Sequence, residues 1–276
     1  MPKLNITEPN NAVEIIPTEI EVEITSKPSC LQTWNMDGAT LTGKVRSENQ
    51  DAFSIWQESP NYAFAVLCDG MGGHSGGREA SETAVEVIQS VIRDLVGADI
   101  PAKDQLLLAV DEVRAIFDKE NLEGMTTAIL VIFDGDYIHY ATLGDGALVA
   151  VFPDGMVTQI QTPHHMLGQP ENVITAYIGQ GCDLAPRIGS LRVEAGTTVL
   201  CMSDGASELF PYDDFAVDHV SYADYLKRQN SPSLTHHLLE RIEEARDPET
   251  GAYLHHDNMT LVMAHMSPPA EETSDA

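Results

Sequence analysis

Ala63-Phe-Ala-Val-Leu-Cys68 runs straight into Asp69-Gly-Met-Gly-Gly-His74: six apolar residues, then a carboxylate, then glycine-rich backbone. A short apolar run bounded by turn residues reads as a buried strand, so Asp69 stands where that strand leaves its sheet. Three more aspartates sit beside apolar runs in the same way: Asp51 before 52–56, Asp204 after 199–202, and Asp257 before 259–265. Strand ends gathered at one edge of a sheet can aim several carboxylates at one point. Like carboxylates raise one another's pKa, so such a cluster is unfavourable unless cations sit in it. Oxygen donors without paired cysteines suit hard ions such as Mg2+ or Mn2+.

Around these four positions lies a series of strands and helices. Strands are expected over 52–56 and 62–68, joined by a turn at Pro60-Asn61. Ala80, Ala84, Val87, Ile88, Val91, Ile92 and Leu95 recur at helical spacing, with Gly97 closing that helix. Pro101 precedes a second helix that turns Leu106, Val110, Val113 and Phe117 inward. Strands follow over 126–133, 137–143, 147–152 and 156–161, with Asp134-Gly135 and Asp154-Gly155 as hairpin turns. After a looser stretch over 162–196 come a buried strand (197–202), a helix capped by Ser233, and a last strand (259–265). Consecutive hairpins favour antiparallel sheets, and amphipathic helices need a face to cover. Layered sheets with helices outside are expected, an α+β fold.

The 276 residues suffice for a substantial core. Asp and Glu outnumber Lys and Arg by 43 to 15, a net charge of −28, which disfavours nucleic acid and anionic membrane as partners. Cys30, Cys68, Cys182 and Cys201 show no paired spacing, so neither a disulfide framework nor a zinc knuckle is signalled. Cys68 and Cys201 read as small buried thiols inside strands. No run is long and apolar enough to span a membrane, no signal peptide is seen, and a cytoplasmic location is expected. Residues 1–32 are acidic and polar and are expected to form an unstructured leader, with Ile20-Glu-Val-Glu-Ile24 as a competing edge strand. Residues 33–266 form the main domain, and 267–276 are expected to be a disordered tail.

Six motifs occur in a fixed order: Arg46 with Asp51, Asp69-Gly-Met-Gly-Gly73, Gly124-Met-Thr-Thr-Ala128, Gly144-Asp-Gly146, Ser203-Asp-Gly205 and Asp257-Asn258. In this order they resemble the metal-dependent serine/threonine protein phosphatases of the type 2C (PPM) family, bacterial type, over roughly residues 33–265. The resemblance implies an α/β/β/α sandwich of two antiparallel sheets flanked by helix pairs, with metals at one end. It also implies hydrolysis of phosphoserine and phosphothreonine on proteins by a metal-activated water. Asp69 would bridge two Mg2+ or Mn2+ ions, the Gly70 carbonyl would ligate one of them, and Asp204 and Asp257 would complete the set. Asp51 would bind metal-coordinated water, and Arg46 would grip the phosphate with its two-pronged guanidinium. Phosphoprotein substrates are the implied partners, with a cognate Ser/Thr kinase alongside; a monomer is expected.

The residues taken alone leave other readings open. Asp69-Gly70 also reads as a turn, Asp204 as a helix N-cap, and Arg46 as a solvated side chain. Two rival functions stand beside the first: a phosphatase-like binding module without turnover, and a partner-switching phosphatase acting on one dedicated regulator. The chain also departs from the family pattern. Asp145 and Thr126 match family positions read as structural, and Gly146-Ala147 stand where relatives commonly carry Ser-Arg, which weakens any functional salt bridge there. Thr162-Pro-His-His165 places His164 where relatives carry an aspartate for a third metal, and histidine is a poorer magnesium ligand, leaving a third site in doubt. His74 is open as a general acid, against protonation of the leaving group by metal-bound water.

Overall fold

A computed structural model of the chain describes residues 33–71, 76–161, 164, 174–210, 233–254 and 256–267. The expected leader, His74, and the tail beyond Ser267 lie outside the described residues. Two antiparallel sheets form the centre. In one, β1 (Thr33–Leu41), β11 (Met259–Ser267), β10 (Thr198–Met202), β7 (Ala147–Val151) and β8 (Val157–Gln159) lie side by side. In the other the order is β2 (Asp51–Ser59), β3 (Tyr62–Met71), β5 (Ala128–Asp134), β6 (Tyr137–Leu143) and β9 (Arg187–Arg192), with β4 (Met125–Thr126) paired to the end of β3.

Strand alternation explains the layering, because successive side chains point to opposite faces. Between the sheets, Leu67, Ile129, Val131 and Phe133 from one meet Leu148, Val199, Cys201 and Val262 from the other, with Trp34 buried among them. Their neighbours Val66, Cys68, Leu130 and Ile132 face outward onto α1 (Gly76–Leu95) and α2 (Ala102–Glu120). On the opposite face Leu200, Met202 and Met263 meet Leu238, Leu239 and Ile242 of α4 (Leu234–Glu243), beside the short α3 (Asp204–Ser207). Each such side chain taken from water contributes about 1.5–3 kcal/mol. The result is the expected helix–sheet–sheet–helix sandwich. Ser233 caps α4 as expected, accepting from the His236 amide at 3.1 Å.

Several boundaries differ from the sequence expectation. β1 and β9 are edge strands whose faces are only partly buried, and their mixed sequences, Asp37-Gly38 in β1 and Gly189-Ser190 in β9, hide the alternation. The strand expected over 126–133 is broken at Thr127 into β4 and β5. The strand expected over 156–161 shrinks to Val157–Gln159, and Ser267, expected in the tail, closes β11 opposite Thr33. Cys68, Cys182 and Cys201 are free and buried, and burial pushes the Cys201 thiol up to about 12.

Candidate active site

Antiparallel pairing brings the four aspartates to one end of the sandwich. Asp51 opens β2 directly opposite Asp69, near the end of β3. Asp204 follows β10 and Asp257 precedes β11, and β10 and β11 pair with Met202 opposite Leu261. The chain crosses from β6 to β7, between the two sheets, at Gly144-Asp-Gly146, on this same end.

The break at Thr127 serves Asp69. The Thr127 amide and the Thr126 hydroxyl both donate to the Asp69 carbonyl at 2.9 Å, and the Asp69 amide donates to Thr127 Oγ1 at 3.0 Å. Gly70 also has a packing role that the sequence did not show. A Cβ there would stand 2.1 Å from the Gly77 carbonyl oxygen, so the missing side chain lets the first turn of α1 lie on β3. Gly124 is equally confined, with its would-be Cβ 1.9 Å from the carbonyl oxygen of Gly76.

Asp51 is buried, and its Oδ2 accepts from Thr260 Oγ1 at 2.7 Å. Because the Thr260 proton is used on Asp51, Thr40 must be the donor in the 2.7 Å Thr40–Thr260 contact, and Asn49 Nδ2 in turn donates to Thr40 at 2.8 Å. Oδ1 of Asp51 is buried with no protein partner. Burial first, then the charges of Asp204 and Asp257, push this carboxyl up to about 6, against the bond from Thr260 and the nearby Ser203 hydroxyl. Asp69 is displaced further in the same direction, by burial and by the charges of Asp51, Asp204 and Asp145. Asp145, read from the sequence as structural, thus adds to the same negative field.

The remaining carboxylates are held singly. Asp204 begins α3 rather than capping it, and its Oδ1 accepts from the Gly205 amide at 2.5 Å. Asp257 accepts from the Asn258 amide at 2.8 Å through Oδ1 and from Arg46 Nη2 at 2.6 Å through Oδ2. Arg46 therefore reaches the cluster, and the charges of Asp257, Asp204 and Asp69 hold its proton more firmly. His164 is buried, with Nδ1 placed 3.2 Å from the Gly144 carbonyl, which also accepts from the His164 amide at 2.9 Å.

Among the described residues no three His, Cys, Asp or Glu side chains stand together as a ready cation cage. The sequence expectation of carboxylates aimed at one point holds at the level of the sheet edge and stops short of closed ligation. Even so, the donors suit a hard cation. They are all oxygen, one buried carboxylate oxygen has no partner, and the carboxyls of Asp51 and Asp69 are pushed towards protonation by burial first and then by neighbouring carboxylates, Asp204 acting on both.

Residues 44–243 match the family model for protein phosphatase 2C. The chain belongs to the protein phosphatase 2C family. Among curated proteins, it is 29% identical over 202 residues to the protein phosphatase PhpP of Streptococcus pneumoniae serotype 2, covering 62% of this chain and 78% of that one. It is 27% identical over 246 residues to the serine/threonine protein phosphatase PstP of Mycobacterium tuberculosis, covering 80% of this chain and 43% of that one. Among solved structures, the serine/threonine phosphatase of S. agalactiae superposes with a TM-score of 0.65 at 21% identity, covering 84% of this chain and 99% of that one. The catalytic domain of PstP in complex with two manganese ions superposes with a TM-score of 0.62 at 22% identity, covering 86% and 100%. The structural likeness establishes the shared fold.

Three site residues had no task assigned from the sequence. Thr260 is an ordinary strand residue there, Thr127 stands in the Gly124-Met-Thr-Thr-Ala128 motif, and only the register shows them under Asp51 and Asp69. Asn258 could have been found, because it stands in the Asp257-Asn258 motif, but its task is a loop contact and leaves no periodic signal.

Proposed function

We propose that this 2C phosphatase removes phosphate from phosphoserine and phosphothreonine on proteins, with Asp69, the Gly70 carbonyl, Asp204 and Asp257 holding two Mg2+ or Mn2+ ions. Bound there, such ions supply electrophilic charge against a phosphoryl group and a nucleophile at neutral pH. Arg46 stands beside Asp257 with a fork suited to phosphate oxygens, and offsets charge on the transferring group. Asp51 is fixed by Thr260 through one oxygen, which leaves the other to accept a proton donor inside the site. Among the described residues the three cysteines are buried, and burial keeps the Cys68 and Cys201 thiols protonated, so none of these is offered as a nucleophile. A third ion is at most weakly held: His164, buried against the Gly144 carbonyl, stands where a carboxylate ligand is expected, and imidazole is a poorer ligand for magnesium. The substrates are phosphoproteins, and a Ser/Thr kinase supplies them. Residues 33–266 carry the whole site.

The observation that carries this reading is the unpartnered, buried Asp51 oxygen, directly across the ladder from Asp69, in a chain of this family. Retention of all four aspartates disfavours a binding module without turnover. Release of p-nitrophenol from p-nitrophenyl phosphate tests the point: turnover that requires Mn2+ or Mg2+ is expected, and its absence with both ions would sink the reading.

A further inference from the structure

Asn258 is buried, and every strong hydrogen bond its side chain makes goes to the segment that carries Arg46. Its Nδ2 donates to the carbonyls of Thr42 and Glu48, both at 2.9 Å, and its Oδ1 accepts from the Gln50 amide at 3.0 Å. Thr42 and Glu48 lie on either side of Arg46, and Gly43, at φ 74°, takes the left-handed turn between them. We infer that Asn258 is a positioning residue: it folds the 42–50 loop into the shape that aims Arg46 at the site, and so sets the affinity for phosphate. The inference rests on the phosphate role proposed above for Arg46.

Chemistry explains why an amide is needed. Two carbonyls and one amide must be satisfied by one short side chain, and among short side chains only asparagine offers two donors and an acceptor on one carbon. A carboxylate of the same shape would keep the bond from Gln50 and set an oxygen against two carbonyl oxygens. The loop has a second anchor outside. Lys44 pairs with Glu244 and lies 4.6 Å from the centre of the Tyr253 ring, which also carries Arg246 at 3.8 Å. Those contacts are exposed, where ion pairs contribute little, whereas buried bonds whose loss would strand two carbonyls and an amide contribute more. At the end of the loop Gln50 is held as well through its carbonyl, by the Gly70 amide at 3.0 Å and the Ser81 hydroxyl at 2.6 Å, so Asn258 is the buried anchor that ties Thr42 and Glu48 together across Arg46. Its neighbour Asp257 receives Arg46 Nη2, so adjacent residues hold the loop and the guanidinium it presents.

The test uses the full chain with Asn258→Ala, Asn258→Asp, Arg46→Ala, and the Asn258→Ala/Arg46→Ala double variant. KM for a phosphothreonine peptide and the inhibition constant of inorganic phosphate should each rise about tenfold in the Asn258 variants, with kcat within about threefold. The double variant should bind phosphate no more weakly than Arg46→Ala alone, since Asn258 acts through Arg46. Trypsin should cut faster after Lys44 and Arg46 in both Asn258 variants, relative to cutting after Lys119 in α2. That arm reads the loop without any turnover, so it stands apart from failure of the phosphatase reading itself. A fall in kcat at constant KM, additive losses in the double variant, or an unchanged trypsin pattern would overturn the inference. Should both variants fail to fold, hydrogen exchange at the Gln50 amide of the unmodified protein decides: protection like that of β3 supports the bond, and exchange at the rate of an open loop refutes it.

Discussion

Asp51 lies directly across the β2–β3 ladder from Asp69, so two carboxylates share one end of a sheet. Burial lifts both, Asp51 to about 6. An acid whose pKa is raised by folding binds its proton more readily folded than unfolded. Its ionisation therefore removes stability as pH rises from its ordinary value through its folded one. Glu244 and Asp247 are displaced downward, and what they contribute is lost only at more acidic pH. With chelator present, the melting temperature should fall between about pH 5 and pH 7. Mn2+ should flatten or reverse that trend. Thermal melts in EDTA that climb across the same interval would reject the picture of two opposed carboxylates.

Arg46 donates to Asp257 from an exposed loop, so its removal should cost little stability and much phosphate affinity. Arg46→Ala should weaken phosphate-monoester binding by about 1.5–3 kcal/mol, the range for a charge-assisted hydrogen bond. Steady-state kinetics on phosphorylated peptides measure it, and unchanged parameters would exclude the role.

Thr260→Val keeps the shape of the strand and removes the donor to Asp51 Oδ2. Oδ2 of the buried carboxylate would then lose its Thr260 donor while Oδ1 has no partner already, leaving Ser203 as the hydroxyl nearby. A destabilisation of about 1–3 kcal/mol is expected, with the basic limb of the stability profile steeper than in the unmodified protein. Urea denaturation at two pH values provides the comparison.

Gly124→Ala tests the close approach of α1 to β4. The added methyl would meet the Gly76 carbonyl and the Ala80 side chain, at 1.9 and 2.8 Å. Overpacking of this kind costs about 1–3 kcal/mol. Because β4 carries Thr126, which holds the Asp69 carbonyl, activity should fall with stability. A variant that melts and turns over like the parent would show that the contact relaxes freely.

Strong periodicity was legible without coordinates, and weak periodicity was not. α1, α2 and α4 announce themselves through apolar faces, and β3, β5 and β10 through unbroken apolar runs buried on both faces. β1 and β9 escape because an edge strand need bury little, so its sequence carries glycine and charge freely. At the site, Asp51, Asp69, Asp204 and Asp257 stand out because each interrupts an apolar run. Thr127, Thr260 and Asn258 do not, since their work is fixed by partners 58 to 216 positions away or by the path of a loop. The meaning of Gly70 also needed coordinates, because only the position of Gly77 shows what a side chain there would strike.

Release of inorganic phosphate from a phosphothreonine peptide, followed for the unmodified chain and for Asp69→Asn, tests the two-ion site most directly. Turnover should appear with Mn2+ or Mg2+, vanish in excess chelator, and be lost in Asp69→Asn while that variant keeps its fold. Undiminished phosphate release in chelator, or from the folded Asp69→Asn protein, would contradict the assignment of Asp69 at the centre of the reaction.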